Sequence, residues 1–447
     1  MGKRVFAILL NIAVVAVLAT GCVRHTQYRT SAEPCTVQGS ETICENAVQE
    51  QHDGYQLSFV EFDDQGWLWD RAQMTKTLDT LRSQEYLESG VIMLVFVHGW
   101  KHNAAFDDPN VLEFRKMLRR VHKLEYLASK KENRPARKVA GTYLAWRGQS
   151  APGVLSSVTF WDRKNVANTV GHGALTEFLL QLENVQIAHL EKEKGRAAQT
   201  KLIVIGHSFG GQIVYSALSQ IFLDRFVDLE GAPPQTFGDL VILVNPAFEA
   251  ARFSPLREAS RQRKYPAGQV PLITIFTAKN DGATGVAFPL GRWFSTFFEK
   301  HRDGDQKSSN REAIGHFEPY ISHELTWVKT VKPVAELTSA EETKLTAVER
   351  ERSDLEATRA DLAITSMSSQ QWLKTTSRAG WSLDFGSARL AHLVKTEKRN
   401  QTDPCNPFYV ISVDKEIIDG HGGIWTPAFA DFLRRFILLS MNVPESP

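Results

Sequence analysis

Six short apolar runs recur along this chain, and they restrict its possible folds more than any other feature. The runs cover residues 91–97, 139–146, 202–205, 240–244, 270–277 and 408–413. In most of them the apolar residues are continuous and do not alternate with polar ones. Runs of this kind predict strands that are buried on both faces of a sheet.

Amphipathic helical patterns lie between these runs. In residues 212–226, for example, Ile213, Ala217 and Ile221 fall on one face at helical spacing. The other helical patterns cover residues 71–88, 111–128, 161–190 and 426–439. Alternation of strands and helices predicts an α/β fold, with a mainly parallel sheet covered by helices on both faces.

The alternation stops before the last strand, at about residues 283–400, and we interpret this segment as a long insertion. Its first part, GVAFPLGRWFSTFFEKH, is rich in aromatic residues and either forms a lid or packs against the sheet edge. Its second part is a charged helical pattern that opens with a capping box from Thr338 to Glu341. Val348, Leu355 and Leu362 follow at seven-residue spacing, which fits one docked helix face or a coiled-coil partner site.

Size and charge limit the classes of function. The chain has 447 residues, of which 43% are hydrophobic, so it can bury a sizeable core. It has 52 Lys and Arg residues against 51 Asp and Glu residues. This balance gives no field of one sign that would favour nucleic acid as a partner.

The N-terminus has the layout of a signal peptide. Lys3 and Arg4 precede an uncharged run over residues 5–18, which ends in VLATGC. The run is shorter than a membrane-spanning helix requires. We therefore expect residues 1–21 to be a signal peptide, with a plain secretory signal or an uncleaved anchor as alternatives to a lipoprotein signal.

The stretch LATGC resembles the lipobox of bacterial lipoproteins, in which the cysteine, here Cys22, is lipidated and becomes the first mature residue. The resemblance implies a lipid anchor to a membrane in the cell envelope. Val23 stands where an Asp would retain an enterobacterial lipoprotein in the inner membrane, which implies the outer membrane, facing the periplasm. Residues 22–54 are polar and are expected to be a tether to a domain over residues 55–447.

Export would place the remaining cysteines in an oxidising compartment. Cys35 and Cys44 form the local choice for a disulfide, although Cys405 could supply a partner, and three free thiols remain an alternative. No C-x-x-C pair occurs, so a zinc or redox motif is not expected.

The stretch GHSFG, residues 206–210, places Ser208 directly after one apolar run and directly before a helical pattern. The chain must reverse there within a few residues, and Gly206 and Gly210 remove the side chains that would obstruct the turn. The turn exposes the hydroxyl beside a helix N-terminus, whose free N–H groups can stabilise an oxyanion. A helix-capping serine on a tight turn is the alternative.

The chain resembles the α/β-hydrolases. GHSFGGQ is similar to their nucleophile elbow, and VIMLVFVHGW to their strand that ends in His-Gly. The resemblance implies that the N–H groups of Phe209 and Trp100, or in place of Trp100 that of Lys101, form an oxyanion hole. It also implies that His98 has a structural role.

In this fold the acid and the base follow the serine in chain order, each after a later strand. Asp281 follows the run over residues 270–277 and is the expected acid, with Glu249 as its rival and an ordinary turn as the alternative. His421 lies between glycines after the last strand and is the expected base. Among the other histidines, His316 and His323 are alternative bases, whereas His207 and His172 are expected to be structural.

These residues predict a serine hydrolase that cleaves a carboxylic ester or a related acyl bond through an acyl-enzyme, with catalytic residues Ser208, Asp281 and His421. The expected partner is a small-molecule acyl substrate, and the mechanism needs no cofactor or metal. The alternative is a non-catalytic envelope lipoprotein that uses the hydrolase scaffold as a binding or structural platform.

Overall fold

The computed structural model describes residues 24–37, 43–150, 159–196, 199–227, 237–328, 347–397 and 399–442. The strands in these ranges are β1 (Cys35–Thr36), β2 (Gln49–His52), β3 (Tyr55–Phe62), β4 (Val91–Val97), β5 (Lys138–Trp146), β6 (Lys201–His207), β7 (Leu240–Val244), β8 (Ile273–Ala278), β9 (His323–Trp327), β10 (Ser382–Asp384), β11 (Ala388–His392) and β12 (Phe408–Val413).

The α-helices in the same ranges surround these strands. They are α1 (Arg71–Leu81), α2 (Gln84–Ser89), α3 (Pro109–Glu132), α4 (Phe160–Gly171), α5 (Ala174–Lys192), α6 (Phe209–Val227), α7 (Ala250–Arg261), α8 (Phe288–Ser295), α9 (Gly304–Arg311), α10 (Ala347–Thr375) and α11 (Pro427–Asn442). Among the described residues, no helix combines the length and the apolar character needed to span a membrane.

The strands form one sheet in the order β1-β2-β3-β5-β4-β6-β7-β8-β12-β9-β11-β10. Pairing is parallel from β3 through β9 in this order, and antiparallel between β2 and β3 and among β9, β11 and β10. The predicted α/β fold with a mainly parallel sheet is confirmed.

Both faces of the sheet are covered, which explains the continuous apolar runs. One apolar layer lies between the sheet and the helices α1, α4, α5, α6 and α7, and a second lies between the sheet and α3, α10 and α11. Successive side chains of β4 enter these two layers alternately. The first layer takes Val91, Met93, Val95 and Val97, and the second takes Ile92, Leu94 and Phe96. A strand whose two faces are both buried needs apolar residues at consecutive positions.

The parallel register aligns the carboxyl ends of the central strands. Val97 pairs with Gly206, Gly206 pairs with Leu243, and Ala278 pairs with Val413. The loops that follow these strands therefore meet at one edge of the sheet, which we call the carboxyl edge.

The expected tether over residues 22–54 is wrong for the residues that the structure describes. Residues 24–37 and 43–54 extend the sheet with β1 and β2. Part of the polar composition of this segment is buried as an ion-pair network: the side chains of Arg29 and Glu50 are both 0% exposed, and Arg115 joins them. Paired charges can be buried where lone ones cannot, so a polar composition did not exclude that parts of this segment join the domain.

The cysteines resolve the alternatives left by the sequence. Cys35 and Cys44 form a disulfide. Cys405 is a buried free thiol. Residues 1–21 and Cys22 lie outside the described residues, and so does the capping box at Thr338 to Glu341.

The insertion contains strands that the sequence analysis did not predict. β9 continues the parallel sheet beyond β12, and β11 and β10 complete that end. The charged helix α10 docks one face, since Asp361, Thr365, Ser368 and Trp372 are buried. Asp361 pairs there with Arg434 and Arg435 of α11.

The pattern over residues 161–190 forms two helices instead of one. The break comes at Gly173, where a Cβ atom would lie 2.3 Å from the carbonyl oxygen of Gly66. The close approach of these two backbones requires glycine at this position, and the chain changes direction there.

Candidate active site

Ser208 occupies a strained turn between β6 and α6. Its φ is +57°, a conformation that side chains other than glycine rarely adopt. A Cβ atom at position 210 would lie 2.1 Å from the carbonyl oxygen of Val97, and one at position 206 would lie 2.7 Å from that of Gly210. The two glycines therefore allow the backbones around the serine to approach each other closely.

His421 lies between the serine and an acidic side chain. Its Nε2 is 2.7 Å from Ser208 Oγ, and its Nδ1 is 2.8 Å from Asp281 Oδ2. The Asp281 side chain is fully buried, whereas that of His421 is 22% exposed. The structure thus brings together three residues that are distant in sequence, in the geometry in which an imidazole can pass a proton from a hydroxyl.

Asp281 is held as a carboxylate by several donors. The N–H groups of Ala283 and Thr284 donate to Oδ1 at 2.9 and 3.2 Å, and the Thr284 hydroxyl donates to Oδ2 at 2.5 Å. Burial raises the pKa of Asp281, but the hydrogen bond and charge of His421 and the bonds from Thr284 bring it below its ordinary value. The aspartate can therefore orient the imidazole and stabilise its positive charge.

The loop that carries His421 is fastened through its backbone. Asn245 donates from Nδ2 to the carbonyl oxygens of Gly420 and His421, at 3.1 and 2.9 Å. Gly420 donates its N–H to Asn280 Oδ1 at 3.0 Å. These contacts fix the backbone of the loop on both sides of the imidazole-bearing residue.

Asn245 was missed by the sequence analysis. It directly follows β7 at the carboxyl edge, and its φ of +45° is one that asparagine adopts more readily than most residues. Its Oδ1 accepts from the N–H of Ala278 at 2.9 Å, so one fully buried side chain joins the ends of β7 and β8 to the histidine loop. The position after the strand was its only signal in the sequence.

His207 also contacts this loop, although it is not a base. Its Nε2 lies 3.0 Å from the carbonyl oxygen of His421. Burial, together with the nearby charge of His421, lowers the pKa of His207 to about 3. A neutral His207 donates to the loop, which extends the packing role expected for it.

His316 lies behind the acid. Its Nε2 is 3.0 Å from the hydroxyl of Thr284, the same hydroxyl that donates to Asp281. Burial lowers the pKa of His316. His316 therefore contacts the triad through Thr284, while His421 alone of the two makes the direct contact with Ser208.

The expected oxyanion donors, Phe209 and Trp100, lie in the segments that follow β6 and β4. Phe209 begins α6, where the first N–H groups have no partner within the helix. The N–H of Lys101 donates to the carbonyl oxygen of Gly148 at 3.0 Å, which leaves Trp100 as the better candidate of the two. A Cβ atom at Gly99 would lie 2.7 Å from Ser208 Cβ, so the backbone before Trp100 passes directly beside the serine.

His98 holds the strand end below this loop. It accepts the N–H of Trp146 at Nε2, at 3.1 Å, and its Nδ1 lies 2.9 Å from the carbonyl oxygen of Gly99. Burial lowers the pKa of His98 to about 4. A neutral imidazole in this position supports the structural role that the resemblance implied.

The rival residues have other partners. Glu249 is buried and pairs with Lys164 and Arg292, at 2.8 and 3.2 Å. His323 lies in β9 and stacks on Tyr409, with the ring centroids 3.8 Å apart. His172 is exposed, at the end of α4.

An aromatic cluster lies beside the expected oxyanion donors. The ring of Phe160 is 5.3 Å from that of Trp100 and 4.8 Å from that of Phe209. Trp161 continues the cluster from Phe160 to Phe288 of α8, with centroid separations of 5.3 and 5.9 Å. This surface could contact an apolar group bound at the serine.

Within the described ranges, no group of three or more His, Cys, Asp or Glu side chains is arranged to hold a metal ion.

Residues 81–292, just under half of the chain, match the model of a family described as an alpha/beta hydrolase of unknown function (DUF900). Together with the sheet described above, this match shows an α/β-hydrolase fold. The comparison with curated proteins gave no significant match.

Parts of the chain are similar to two solved structures. Trichoderma reesei cutinase in complex with a C11Y4 phosphonate inhibitor is 15% identical over 39% of this chain and 66% of the cutinase chain, with a TM-score of 0.17. Phospholipase PlaB from Legionella pneumophila in complex with thio-NAD is 15% identical over 42% of this chain and 38% of its own, with a TM-score of 0.21. The matches span less than two thirds of each solved chain, and likeness at this level does not indicate an activity.

Proposed function

We propose that this α/β-hydrolase is a serine hydrolase that cleaves a carboxylic ester, or a related acyl bond, through an acyl-enzyme. One observation carries the proposal: His421 lies within hydrogen-bond distance of both Ser208 Oγ and Asp281 Oδ2. A serine hydroxyl is a weak nucleophile at neutral pH and needs a positioned base of this kind.

In the first half of the reaction, Ser208 Oγ attacks the acyl carbonyl carbon while His421 Nε2 takes the hydroxyl proton. Asp281 stabilises the resulting imidazolium through Nδ1. The carbonyl oxygen becomes an oxyanion, which accepts hydrogen bonds from the N–H groups of Phe209 and Trp100. The intermediate then expels the alcohol, which takes the proton from His421.

In the second half, a water molecule attacks the acyl group on Ser208. His421 Nε2 takes a proton from this water, and a second oxyanion forms at the same N–H groups. When this intermediate breaks down, Ser208 Oγ leaves with the proton from His421. The carboxylic acid is released and the serine is restored.

The proposal is tested with a fluorophosphonate probe, which reacts with activated serines. The wild-type chain should become labelled, and Ser208→Ala should abolish the labelling. The matched control is Ser219→Ala, because Ser219 lies in α6, the helix that follows Ser208. This variant should be labelled like the wild type. A wild-type chain that resists the probe and hydrolyses no p-nitrophenyl ester would instead favour the non-catalytic platform.

We further propose, from the sequence alone, that residues 1–21 are a signal peptide and that Cys22 carries a lipid anchor in the outer membrane, facing the periplasm. Labelling with radioactive palmitate should be lost in Cys22→Ser. Label that persists in this variant would contradict the anchor. The control is Cys405→Ser, which should keep the palmitate label, because Cys405 is a buried free thiol.

A further inference from the structure

A run of large apolar side chains faces solvent immediately after the acid of the proposed triad. It comprises the six residues Val286, Leu290, Trp293, Phe294, Phe297 and Phe298, which are between 44% and 91% exposed. We call these six residues the apolar patch. Several of their rings pack against one another: the ring centroids of Trp293 and Phe294 are 4.8 Å apart, and those of Phe297 and Phe298 are 5.2 Å apart. Isolated exposed apolar residues are normal, but a continuous group of this size marks an interaction surface.

The patch faces outward because the opposite side of α8 is anchored to the domain. Phe288 is fully buried, and a Cβ atom at Gly291 would lie only 1.8 Å from the Trp161 ring. Arg292 pairs with Glu249 and donates to the carbonyl oxygen of Asn310. The expectation that the aromatic segment packs against the sheet edge is therefore wrong for the patch.

The patch lies next to the candidate active site. Residues 283–287 form a π-helical turn that connects Asp281 directly to α8. Phe288, on the inner side of α8, begins the row of rings that passes through Trp161 and Phe160 to Trp100. The rings of Trp161 and Phe160, which are only partly buried, thus connect α8 to the residues beside Ser208 and offer contacts to an apolar acyl chain.

The chain also enters the described structure at the carboxyl edge. The N–H of Tyr28 donates to Glu61 near the end of β3, and the His25 ring lies 5.2 Å from that of Trp69. Arg24 is only two residues from Cys22. A lipid at Cys22 would therefore hold the edge that carries Ser208 towards the bilayer. Trp67, 74% exposed, lies after the same strand.

From these observations we propose that the apolar patch seats on a phospholipid bilayer and that the substrate is an acyl ester drawn from that bilayer. This deepens the proposed function and rests on it. A lipid at Cys22 would hold the chain at a membrane without fixing its orientation, and the apolar patch supplies a second contact that would turn the carboxyl edge towards the bilayer. The charges that follow the patch balance, since the segment carries three basic residues, Lys300, Arg302 and Lys307, and three acidic ones, Glu299, Asp303 and Asp305. Seating should therefore need no anionic lipid and should depend little on salt.

The seating is tested on the full chain with an environment-sensitive fluorophore at Phe294→Cys. A matched site is Met367→Cys on α10, which is 62% exposed. With phosphatidylcholine vesicles, emission from position 294 should shift to the blue and be quenched by lipids brominated on their acyl chains, whereas emission from position 367 should not. Equal responses at both positions, or none at 294, would overturn the proposal.

Other occupants of the patch give different results with the same probe. A blue-shifted emission without vesicles that grows with protein concentration would assign the patch to a second copy of the chain. The same emission without vesicles at every concentration would assign it to another segment of this chain. Either result would overturn seating on a bilayer.

The substrate class is tested by comparing hydrolysis of an ester dispersed in phosphatidylcholine vesicles with hydrolysis of a short soluble ester. In the double variant Leu290→Ser/Phe294→Ser, the ratio of vesicle rate to soluble rate should fall about tenfold or more. The control Tyr126→Ser/Ile187→Ser changes two residues that are 48% and 49% exposed elsewhere, and should keep the wild-type ratio.

The two proposals fail in different ways. If the patch does not seat on lipid, the soluble ester is still hydrolysed, and the ratio of vesicle rate to soluble rate in the double variant Leu290→Ser/Phe294→Ser stays at the wild-type value. If the chain is not a serine hydrolase, neither ester is hydrolysed and the fluorophosphonate probe does not react, while the fluorescence at position 294 still reports seating.

Discussion

Asn245 donates a hydrogen bond of 2.9 Å to the carbonyl oxygen of His421, 176 residues further along the chain. The histidine loop is thereby joined to the strand next to the one that precedes Ser208. The imidazole position thus depends on a buried amide whose hydrogen bonds go to Gly420, His421 and Ala278, which makes Asn245 a positioning residue.

We expect Asn245→Gly to lower kcat by about 10- to 100-fold with little change in KM, because the imidazole loses its fixed position but the substrate surface remains. Glycine tolerates the φ of +45°, so the variant removes the amide without adding backbone strain. Steady-state kinetics on a soluble ester measure the effect.

Asn133→Gly is the matched control for this variant. Asn133 also has a positive φ, of +51°, but it ends α3, so its replacement should leave kcat unchanged. Asn245→Asp keeps the shape of the side chain without its donor and should be impaired like the glycine variant. Wild-type kcat in both Asn245 variants would contradict the positioning role.

The choice between the two candidate acids gives a second prediction. Asp281→Asn should lower kcat by about 10³- to 10⁴-fold, because an amide cannot stabilise the imidazolium and favours the wrong tautomer. Glu249→Gln should mainly reduce stability, by about 3 kcal/mol, because it leaves Lys164 and Arg292 partly buried without their carboxylate.

Kinetics and urea unfolding of both variants separate these two effects. Each measurement serves as the control for the other, since a loss of activity caused by unfolding would appear in both. A loss of kcat of the size expected for Asp281→Asn in the folded Glu249→Gln variant would assign the acid to Glu249.

The buried His98 predicts a loss of stability in mild acid. Its pKa is lowered from 6.5 to about 4 by burial, so between these values the unfolded chain binds more protons than the folded one. Stability therefore falls as the pH falls from 6.5 to about 4, and this contribution changes no further below that. The loss is on the order of 3 kcal/mol.

Urea unfolding of the wild type and of His98→Gln at pH 7 and pH 4.5 measures this contribution. The glutamine carbonyl can still accept the N–H of Trp146, and the variant should lose less stability than the wild type when the pH falls. Trp146→Phe loses the bond from its indole to the His98 carbonyl and should be less stable at both pH values while keeping the pH dependence. An unchanged pH dependence in His98→Gln would exclude His98 as a source of it.

The disulfide provides a fourth prediction. Cys35 and Cys44 are nine residues apart, so their bond should add about 2 to 3 kcal/mol to the free energy of unfolding. The double variant Cys35→Ser/Cys44→Ser should lose this amount in urea unfolding, and dithiothreitol should have the same effect on the wild type.

The buried free thiol is the control for this measurement. Cys405→Ser should lose less stability than the double variant and should remain sensitive to dithiothreitol. A wild-type free energy of unfolding that dithiothreitol leaves unchanged would show that the bond does not contribute to stability.

Local features of the chain were sufficient to predict the central strands and the turn at Ser208. A strand with two buried faces needs continuous apolar residues, and a sharp turn between strand and helix needs glycines at close spacing, so both leave a mark within a few positions. Asp281 and His421 could be selected for a similar reason, because each follows a strand and is next to glycine.

Other features depend on partners that are remote in sequence. Residues 24–37 and 43–54 are tied to the domain in part by the ion pairs of Glu50 with Arg29 and Arg115, and no local sequence pattern predicts such a network. Asn245 acquires its role only when β7 and the histidine loop come together. The sequence showed only that the segment around α8 is rich in aromatic residues, whereas the contacts of Gly291 and Arg292 determine that the apolar patch faces solvent. Side-chain periodicity shows which residues of an element can be buried. Whether such a residue is in fact buried, and against what, depends on how distant segments pack.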